Sequence, residues 1–189
     1  PLSEESGILG AVGSVDRYFV DGRYVAPWAL MLDDAGGQHK PGLVRAATSP
    51  RGGVSVRPVD DLAQESGQQF TFAGRGPASA KIWGMPIDVT RHANGEMALG
   101  FRYRVDAAPT GAVGLAFGQA SVDVTRLFTE ASTGEWRTVK IRLSCFRDAG
   151  ADLSAVDTPF QIATDGALTL SVSEIRLMSN EGDAGCPAA

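Results

Sequence analysis

The sequence has 189 residues, of which 43% are hydrophobic and 21% charged, and its formal net charge at pH 7 is -5. This length and composition are typical of a single globular domain with a sizeable core. The acidic balance argues against nucleic acid as a partner, because phosphate binding needs a basic surface. No apolar run approaches the roughly 18 residues of a membrane-spanning helix.

The N-terminal residues predict a linker followed by one domain. Residues 1–17 are rich in Gly and Ser and show no sustained hydrophobic period. Because the chain does not begin with Met, we interpret this segment as the end of an upstream region. Residues 18–189 are then predicted to form a single domain, which opens with a hairpin at Asp21-Gly22.

Alternation of apolar and polar residues predicts strands along most of the domain. Val54 and Val56 indicate a strand, and Pro58 predicts that it ends there at a sheet edge. The clearest alternation runs from Met97 to Val105. Shorter runs of the same kind fall in residues 28–32, 68–72, 80–82, 113–117 and 160–162.

Two further strands complete the pattern. Residues 134–146 read as a central strand, with Val139, Ile141 and Leu143 on its buried face. Residues 168–177 alternate but change parity near Ser173-Glu174, which predicts a β-bulge. Helical periodicity never persists beyond about two turns, so the sequence predicts an all-β protein in which two sheets stack as a β-sandwich.

Cys145 and Cys186 are the only cysteines, and their spacing matches no zinc site. They are either two buried thiols or a disulfide that pins the C-terminal segment to the end of the 134–146 strand. We favour the disulfide, because a cysteine in a trailing Gly-Asp-Ala-Gly-Cys-Pro segment has no core of its own to join. A disulfide would place the domain in an oxidising compartment.

Four basic residues occupy the polar faces of two well-patterned strands: Arg102, Arg104, Lys140 and Arg142. If the two strands share a sheet, these residues form a basic stripe. It is either a solvated face with local salt bridges or a docking surface for another domain or a sugar. Sugar sites usually stack aromatic rings on the sugar, and we expect no ring on this stripe. We expect Trp136 to pack at the core edge and Trp83 to face solvent, where it could serve packing or sugar binding equally well.

No catalytic constellation stands out. His39 and His92 are the only histidines and neither lies in a nucleophile motif. A shallow sandwich face also offers little for a pair of catalytic carboxylates. Asp88, Asn94 and Glu96 lie near turns and could ligate calcium, although turn chemistry explains them as well.

Several stretches resemble one particular family. Residues 136–146 are similar to the "W-x-x-V-x-I-P-L-S-x-F" strand of galactose-binding-like and carbohydrate-binding-module-like jelly rolls, and residues 168–177 to their last strand. Residues 88–99, 103–109 and 145–152 resemble the C-terminal domain of bacterial family 3 glycoside hydrolases of the ExoP type, which are exo-1,3/1,4-β-glucanases and β-glucosidases. The resemblance covers about residues 18–187, and the first five residues look like the end of a catalytic region.

The resemblance implies a jelly-roll β-sandwich without an active site of its own, since the family's Ser-Asp-Trp nucleophile motif is absent from this chain. It implies an accessory domain of a retaining β-glucosidase, periplasmic or secreted, that packs against the catalytic domains and shapes the active-site entrance. The alternative is a module that binds β-glucan oligosaccharides directly. No cofactor is implied. Arg142 stands where the general pattern has Pro, and residues 118–123 lack the family's additional Cys-containing loop.

Overall fold

The computed structural model describes residues 12–42, 45–61, 65–180 and 185–187. They form two antiparallel sheets and three short helices. Sheet A has eight strands: β1 (Arg17–Val20), β2 (Arg23–Tyr24), β5 (Ala47–Thr48), β6 (Val54–Asp61), β7 (Glu65–Ala73), β9 (Ala98–Ala107), β12 (Trp136–Arg142) and β14 (Ala167–Met178). Sheet B has six: β3 (Ala29–Asp34), β4 (Gly37–His39), β8 (Ala78–Trp83), β10 (Val113–Phe117), β11 (Ala120–Asp123) and β13 (Phe160–Thr164). The helices are α1 (Thr90–Asn94), α2 (Thr125–Glu130) and α3 (Leu143–Asp148).

β14 lies inside sheet A and pairs with three strands, β9, β7 and β1, whereas β9 is the second strand from the β12 end. The order is β12-β9-β14-β7-β6-β5, with β1 also on β14 and β2 on β1, whereas sheet B has the order β11-β10-β13-β8-β3-β4. The predicted jelly-roll β-sandwich is confirmed, and the alternating residues of both sheets meet in one hydrophobic core. On β9 the side chains of Leu99, Phe101, Tyr103 and Val105 are all at most 2% exposed.

Two local predictions are confirmed. Asp21 and Gly22 both have positive φ, at 52° and 73°, as a two-residue hairpin between β1 and β2 requires. On β14, the pairing with β9 shifts register between Val172 and Glu174. The bulge there lets Val172 and Ile175 both face the core, which explains the change of parity in the sequence.

Two strand predictions are wrong in part. β12 ends at Arg142, and the residues from Leu143 onward form α3, whose short helical turn buries Leu143, Cys145 and Phe146. β12 is also an end strand of sheet A, not a central one. β6 continues through Pro58 to Asp61. A proline fits there because β5 pairs only with Ser55 and Val56, and beyond them no other described strand pairs with that side of β6.

Residues 1–11, which make up most of the predicted linker, lie outside the described residues. Gly13 is buried beneath Trp28, and the Trp28 Nε1 donates to the Ser14 carbonyl at 3.0 Å. β1 begins at Arg17. The last residues of the predicted linker therefore already pack against the sandwich, and the linker over the preceding residues stays a prediction.

The predicted disulfide is present. Cys145 in α3 and Cys186 in the C-terminal segment are bonded, with 5.5 Å between their Cα atoms. The alternative of two buried thiols is excluded. The bond ties residues 185–187 to the helix that follows β12.

The carboxylate of Asp34, at the end of β3, holds together the two chain segments beside it. It accepts hydrogen bonds from the Ser49 hydroxyl at 2.6 Å and from the backbone amides of Gly36, Arg51 and Gly53. Partial removal from water raises the pKa of Asp34, but these four donors lower it more, and it falls from 3.8 to about 2.

We expect this carboxylate to make stability depend on pH. Because the native pKa lies below the unfolded value, the ionised form favours folding above pH 3.8, and this contribution is lost as the pH falls towards 2. The free energy of unfolding should therefore fall more steeply over this interval in the wild type than in Asp34→Asn. Denaturant titrations at several pH values measure it, and Ser49→Ala, lacking one donor, should give an intermediate slope. Equal slopes in all three proteins would contradict the assignment.

Candidate functional site

The basic stripe (Arg102, Arg104, Lys140 and Arg142) lies on the outer face of sheet A. β9 and β12 are neighbours, and Arg102 pairs with Thr138 while Arg104 pairs with Trp136. Since Phe101, Tyr103 and Ile141 point into the core, the residues between them point outward. The structure thus brings the four predicted basic residues together on one half-buried surface.

Trp136 belongs to this surface, which corrects two expectations. The Trp136 ring is half-buried on the outer face, with the guanidinium carbons of Arg104 and Arg102 5.1 and 6.0 Å from its centre. It therefore does not pack at the core edge, and the stripe does contain an aromatic ring. The outward position of Trp136 was predictable from the sequence, because Trp136 is in phase with Thr138 and Lys140, which the alternation assigns to the polar face.

A glycine makes room for this ring two strands beyond β9. A Cβ atom on Gly67 of β7 would lie 3.4 Å from the Trp136 ring and 2.7 Å from the Val172 carbonyl oxygen. The second distance involves backbone of a neighbouring strand, which cannot move aside without disturbing the ladder.

We expect Gly67→Ala to destabilise the domain by about 1–3 kcal/mol, the usual cost of overpacking. Thermal or urea unfolding measures it. Gly42→Ala is the matched control, because a Cβ there meets no atom within 4 Å, and its unfolding should match that of the wild type. A Gly67→Ala variant as stable as the control would contradict this prediction and show that β7 and β14 can move apart enough to accommodate a Cβ atom.

Beside Trp136 lies a hydrogen-bonded network centred on Asp106 of β9. Its carboxylate accepts from Arg104 Nε at 2.5 Å, from Ser171 Oγ at 2.5 Å and from Gln69 Nε2 at 2.9 Å. Arg57 Nε extends the chain of bonds by donating to Gln69 Oε1 at 2.8 Å. Ser171 is fully buried although it lies on the outer face. The network therefore forms an ordered polar layer across four strands of sheet A.

Three further polar contacts lie on this face. Arg176 pairs with Glu174 at 2.6 Å, and Lys140 Nζ donates to the Ser179 carbonyl at 3.0 Å. Arg102 Nη1 donates to the Thr138 hydroxyl at 3.4 Å. The surface combines cationic, anionic and amide groups with one ring, a mixture that suits polar recognition better than bond cleavage.

Trp83 lies elsewhere. It ends β8 in sheet B, is half-buried, and has the Lys40 ammonium 4.5 Å from its ring centre. Its Nε1 is buried without a hydrogen-bond partner. The structure therefore separates the predicted site residues onto the two sheets, with Trp83 apart from the basic stripe.

Within the described ranges, no group of three or more His, Cys, Asp and Glu side chains is placed to hold a metal ion. The Asp88 carboxylate instead accepts the Thr90 amide at 2.9 Å, which is ordinary turn chemistry. A hydrogen bond from the Thr90 hydroxyl, together with this bond from the Thr90 amide, lowers the pKa of Asp88. The space between the sheets is lined almost wholly by apolar side chains. None of the helices in the described part of the chain is long and apolar enough to span a membrane.

The family model Exop_C, described as galactose-binding domain-like, matches residues 26–177. The chain belongs to this family. The match covers every strand from β3 to β13 and almost all of β14, including both strands of the basic stripe. A domain of the Exop_C family is non-catalytic, and the suspected ExoP-type resemblance is confirmed. No curated protein matches the sequence.

Solved structures share the fold. The extra C-terminal domain (X) of the exo-1,3/1,4-β-glucanase ExoP from a Pseudoalteromonas species is 19% identical, with a TM-score of 0.69 over 89% of this chain and 94% of that one. The whole ExoP enzyme gives a TM-score of 0.68 at 19% identity, over 91% of this chain but only 21% of its own length. A family 11 carbohydrate-binding module from Clostridium thermocellum, in complex with a β-1,3-1,4-mixed-linked tetrasaccharide, gives 0.54 at 13% identity, over 89% of this chain and 97% of that one.

Proposed function

We propose that this Exop_C domain is an accessory part of a family 3 β-glucosidase or exo-β-glucanase, packing against the catalytic domains and shaping the active-site entrance. The observation that carries the proposal is the family match over residues 26–177, combined with a similar fold that forms about a fifth of a whole glucanase. The parent chain would be a retaining glycosidase, and the catalytic residues would lie outside this domain.

The basic stripe is the surface we assign to docking. Its four side chains are half-buried, and those of Arg102, Arg104 and Lys140 donate hydrogen bonds, so they lose little conformational freedom when a partner surface covers them. The domain as a whole is acidic, at -5, which makes a cluster of four cationic residues on one face a distinct feature. Such a cluster would orient the domain on an acidic surface of the catalytic region.

The disulfide supports a periplasmic or secreted location. Structural disulfides persist in oxidising compartments and are rare where thiols are kept reduced. The Cys145–Cys186 bond joins a buried residue to an exposed one and closes a loop that contains β13 and β14. It therefore fits an enzyme that acts on sugars outside the cytoplasm.

Docking is tested in the parent enzyme by reversing one charge on each sheet. Lys140→Glu alters the basic stripe, whereas Lys81→Glu alters the half-buried outer face of sheet B. We expect Lys140→Glu to raise KM for a glucan oligosaccharide severalfold while leaving turnover of a small aryl β-glucoside unchanged. The reason is that a bound oligosaccharide extends from the active site into the entrance, whereas a bound aryl glucoside does not. Equal kinetics of both variants and the wild type would contradict docking through the stripe.

A second candidate function is direct binding of β-glucan. It is favoured by Trp136, whose ring shares a face with the Asp106 network, because sugar sites pair an aromatic ring with planar polar groups. The solved structure of the family 11 module, which has a similar fold, is of its complex with a β-1,3-1,4-mixed-linked tetrasaccharide. In this candidate Arg104 and Gln69 would hydrogen-bond the sugar hydroxyls beside the ring.

Trp136→Ala and Trp83→Ala form a matched pair for this candidate. If the domain only packs against the catalytic domains, calorimetric titration of the 189-residue chain with laminari- and cello-oligosaccharides should give a dissociation constant above about 1 mM. This corresponds to less than about 4 kcal/mol of binding free energy. Tighter binding that disappears in Trp136→Ala would support the glucan site on sheet A. Tighter binding that disappears in Trp83→Ala would place it on sheet B, and either result would displace docking as the main role.

A further inference from the structure

β12 leaves one edge of sheet A open. It pairs with β9 on one side and with no other strand in the described part of the chain. The Leu143 amide donates to the Met97 carbonyl on the β9 side, at 3.1 Å. Because alternate residues of an antiparallel strand direct their backbone groups to opposite sides, the amides of Thr138 and Lys140 point away from β9. Such edges readily pair with another strand.

A groove runs along this open edge. It is lined by Val139, Lys140 and Ile141. Consecutive strand residues point to opposite faces, so a groove that contacts all three lies beside the strand and not on either face. Its walls come from α2 and from the C-terminal segment: Arg126, Leu127, Glu130, Gly185 and Pro187.

The C-terminal wall is a strap, defined as Gly185, Cys186 and Pro187, which the disulfide joins to α3. Cys186 is exposed, whereas its partner Cys145 is 4% exposed in α3. Among the described residues, no hydrogen bond joins the strap to β12 or α2. Breaking the bond therefore removes the covalent link that joins the strap to α3.

We propose that the strap guards the open edge of β12 and that the disulfide is its latch. When a dithiol reduces the bond, the two cysteine sulfurs gain two electrons and two protons while the dithiol becomes a disulfide. The strap then moves away from the groove that it lines, and β12 pairs with the β12 of a second copy of this chain.

A second copy fits because the strand is self-complementary. In an antiparallel pair centred on Val139, Thr138 lies opposite Lys140 and Arg137 lies opposite Ile141. Trp136 lies opposite Arg142, a cation and a ring that attract each other. No two like charges lie directly opposite each other, and the two Lys140 side chains are diagonal neighbours at the longer spacing. The two-fold axis closes the dimer.

Light scattering after size exclusion tests the proposal on the 189-residue chain. Cys186→Ala keeps the buried Cys145 side chain, and an excess of a monothiol prevents an intermolecular disulfide. We expect the oxidised wild type to be monomeric and the mass of Cys186→Ala to double. Adding Lys140→Pro should restore the monomer, because proline has no amide to donate at the open edge. Adding Lys140→Ala, which keeps the amide, should leave the dimer intact.

A folded Cys186→Ala protein that stays monomeric at every concentration reached would overturn the proposal, as would a dimer that survives Lys140→Pro. If Cys186→Ala does not fold, the wild type reduced by a dithiol in sucrose, which favours compact states, provides the same comparison. A reduced, folded monomer there would equally overturn it.

Discussion

Removing the Cys145–Cys186 bridge is expected to lower the free energy of unfolding by about 4 kcal/mol. The bond joins residues 41 positions apart, and cross-linking a loop of this size removes about that much conformational entropy from the unfolded chain. The loop includes β13 and β14. Without the bond, ordering these strands costs more conformational entropy, because the unfolded chain is not cross-linked. Urea unfolding of Cys145→Ala/Cys186→Ala, at low protein concentration, measures the loss.

The control for this prediction is Ser144→Ala, a change of similar size in the same helix that leaves the bridge intact. It should unfold within about 0.5 kcal/mol of the wild type, as most substitutions outside the core do. If the double variant is as stable as Ser144→Ala, then the C-terminal segment contributes nothing to the fold, and the bridge has no stabilising role.

Phe101→Ala is expected to be equally damaging, with a loss of about 3–5 kcal/mol, because a large cavity would open between the sheets. Phe101 is fully buried on β9, which lies between β12 and β14, and its ring lies 5.4 Å from the rings of both Tyr103 and Phe160 and 6.5 Å from that of Phe128. Denaturant unfolding followed by near-ultraviolet circular dichroism measures both the stability and the loss of ring packing.

Phe101→Leu is the matched variant, since it retains most of the buried volume and should cost about half as much or less. Leu127→Ala is the second comparison, because Leu127 is a large apolar side chain in the half-exposed helix α2 that packs at the periphery of the core. If Phe101→Ala costs no more than Leu127→Ala, the two sheets do not share the single core described above.

The sequence predicted the sandwich because alternation is a direct consequence of stacking sheets with one buried face. Residues 97–105 and 168–177 show this clearly, and even the parity change at Ser173-Glu174 corresponds to a real bulge. The Asp21-Gly22 hairpin was predictable for a different reason, since few residues tolerate positive φ at both central positions of a tight turn.

What the sequence could not reveal depends on contacts between distant residues. The residues after Arg142 continue an alternating pattern, yet they form α3, because the backbone there turns and its apolar side chains pack as one helical turn. Whether β12 is an end strand depends on which strands pair with it, and the alternation of apolar and polar residues does not predict pairing partners. Strand order is a long-range property, which a local period does not encode.

The candidate site was predictable in position but not in composition. Arg102, Arg104, Lys140 and Arg142 share one face because their strands pair in the register that their own alternation allows. Trp136 is expected at the core edge, although its phase with Thr138 and Lys140 assigns it to the outer face. Asp106, Gln69 and Ser171 come from three different strands, so only the folded sheet brings them together.

The most direct measurement of the central claim is hydrolysis of an aryl β-glucoside by the 189-residue chain alone. A sandwich whose described interior is apolar, and which belongs to a non-catalytic family, should release the aglycone no faster than buffer does. Sustained turnover that follows the folded chain through purification and ends when it is unfolded would contradict the account.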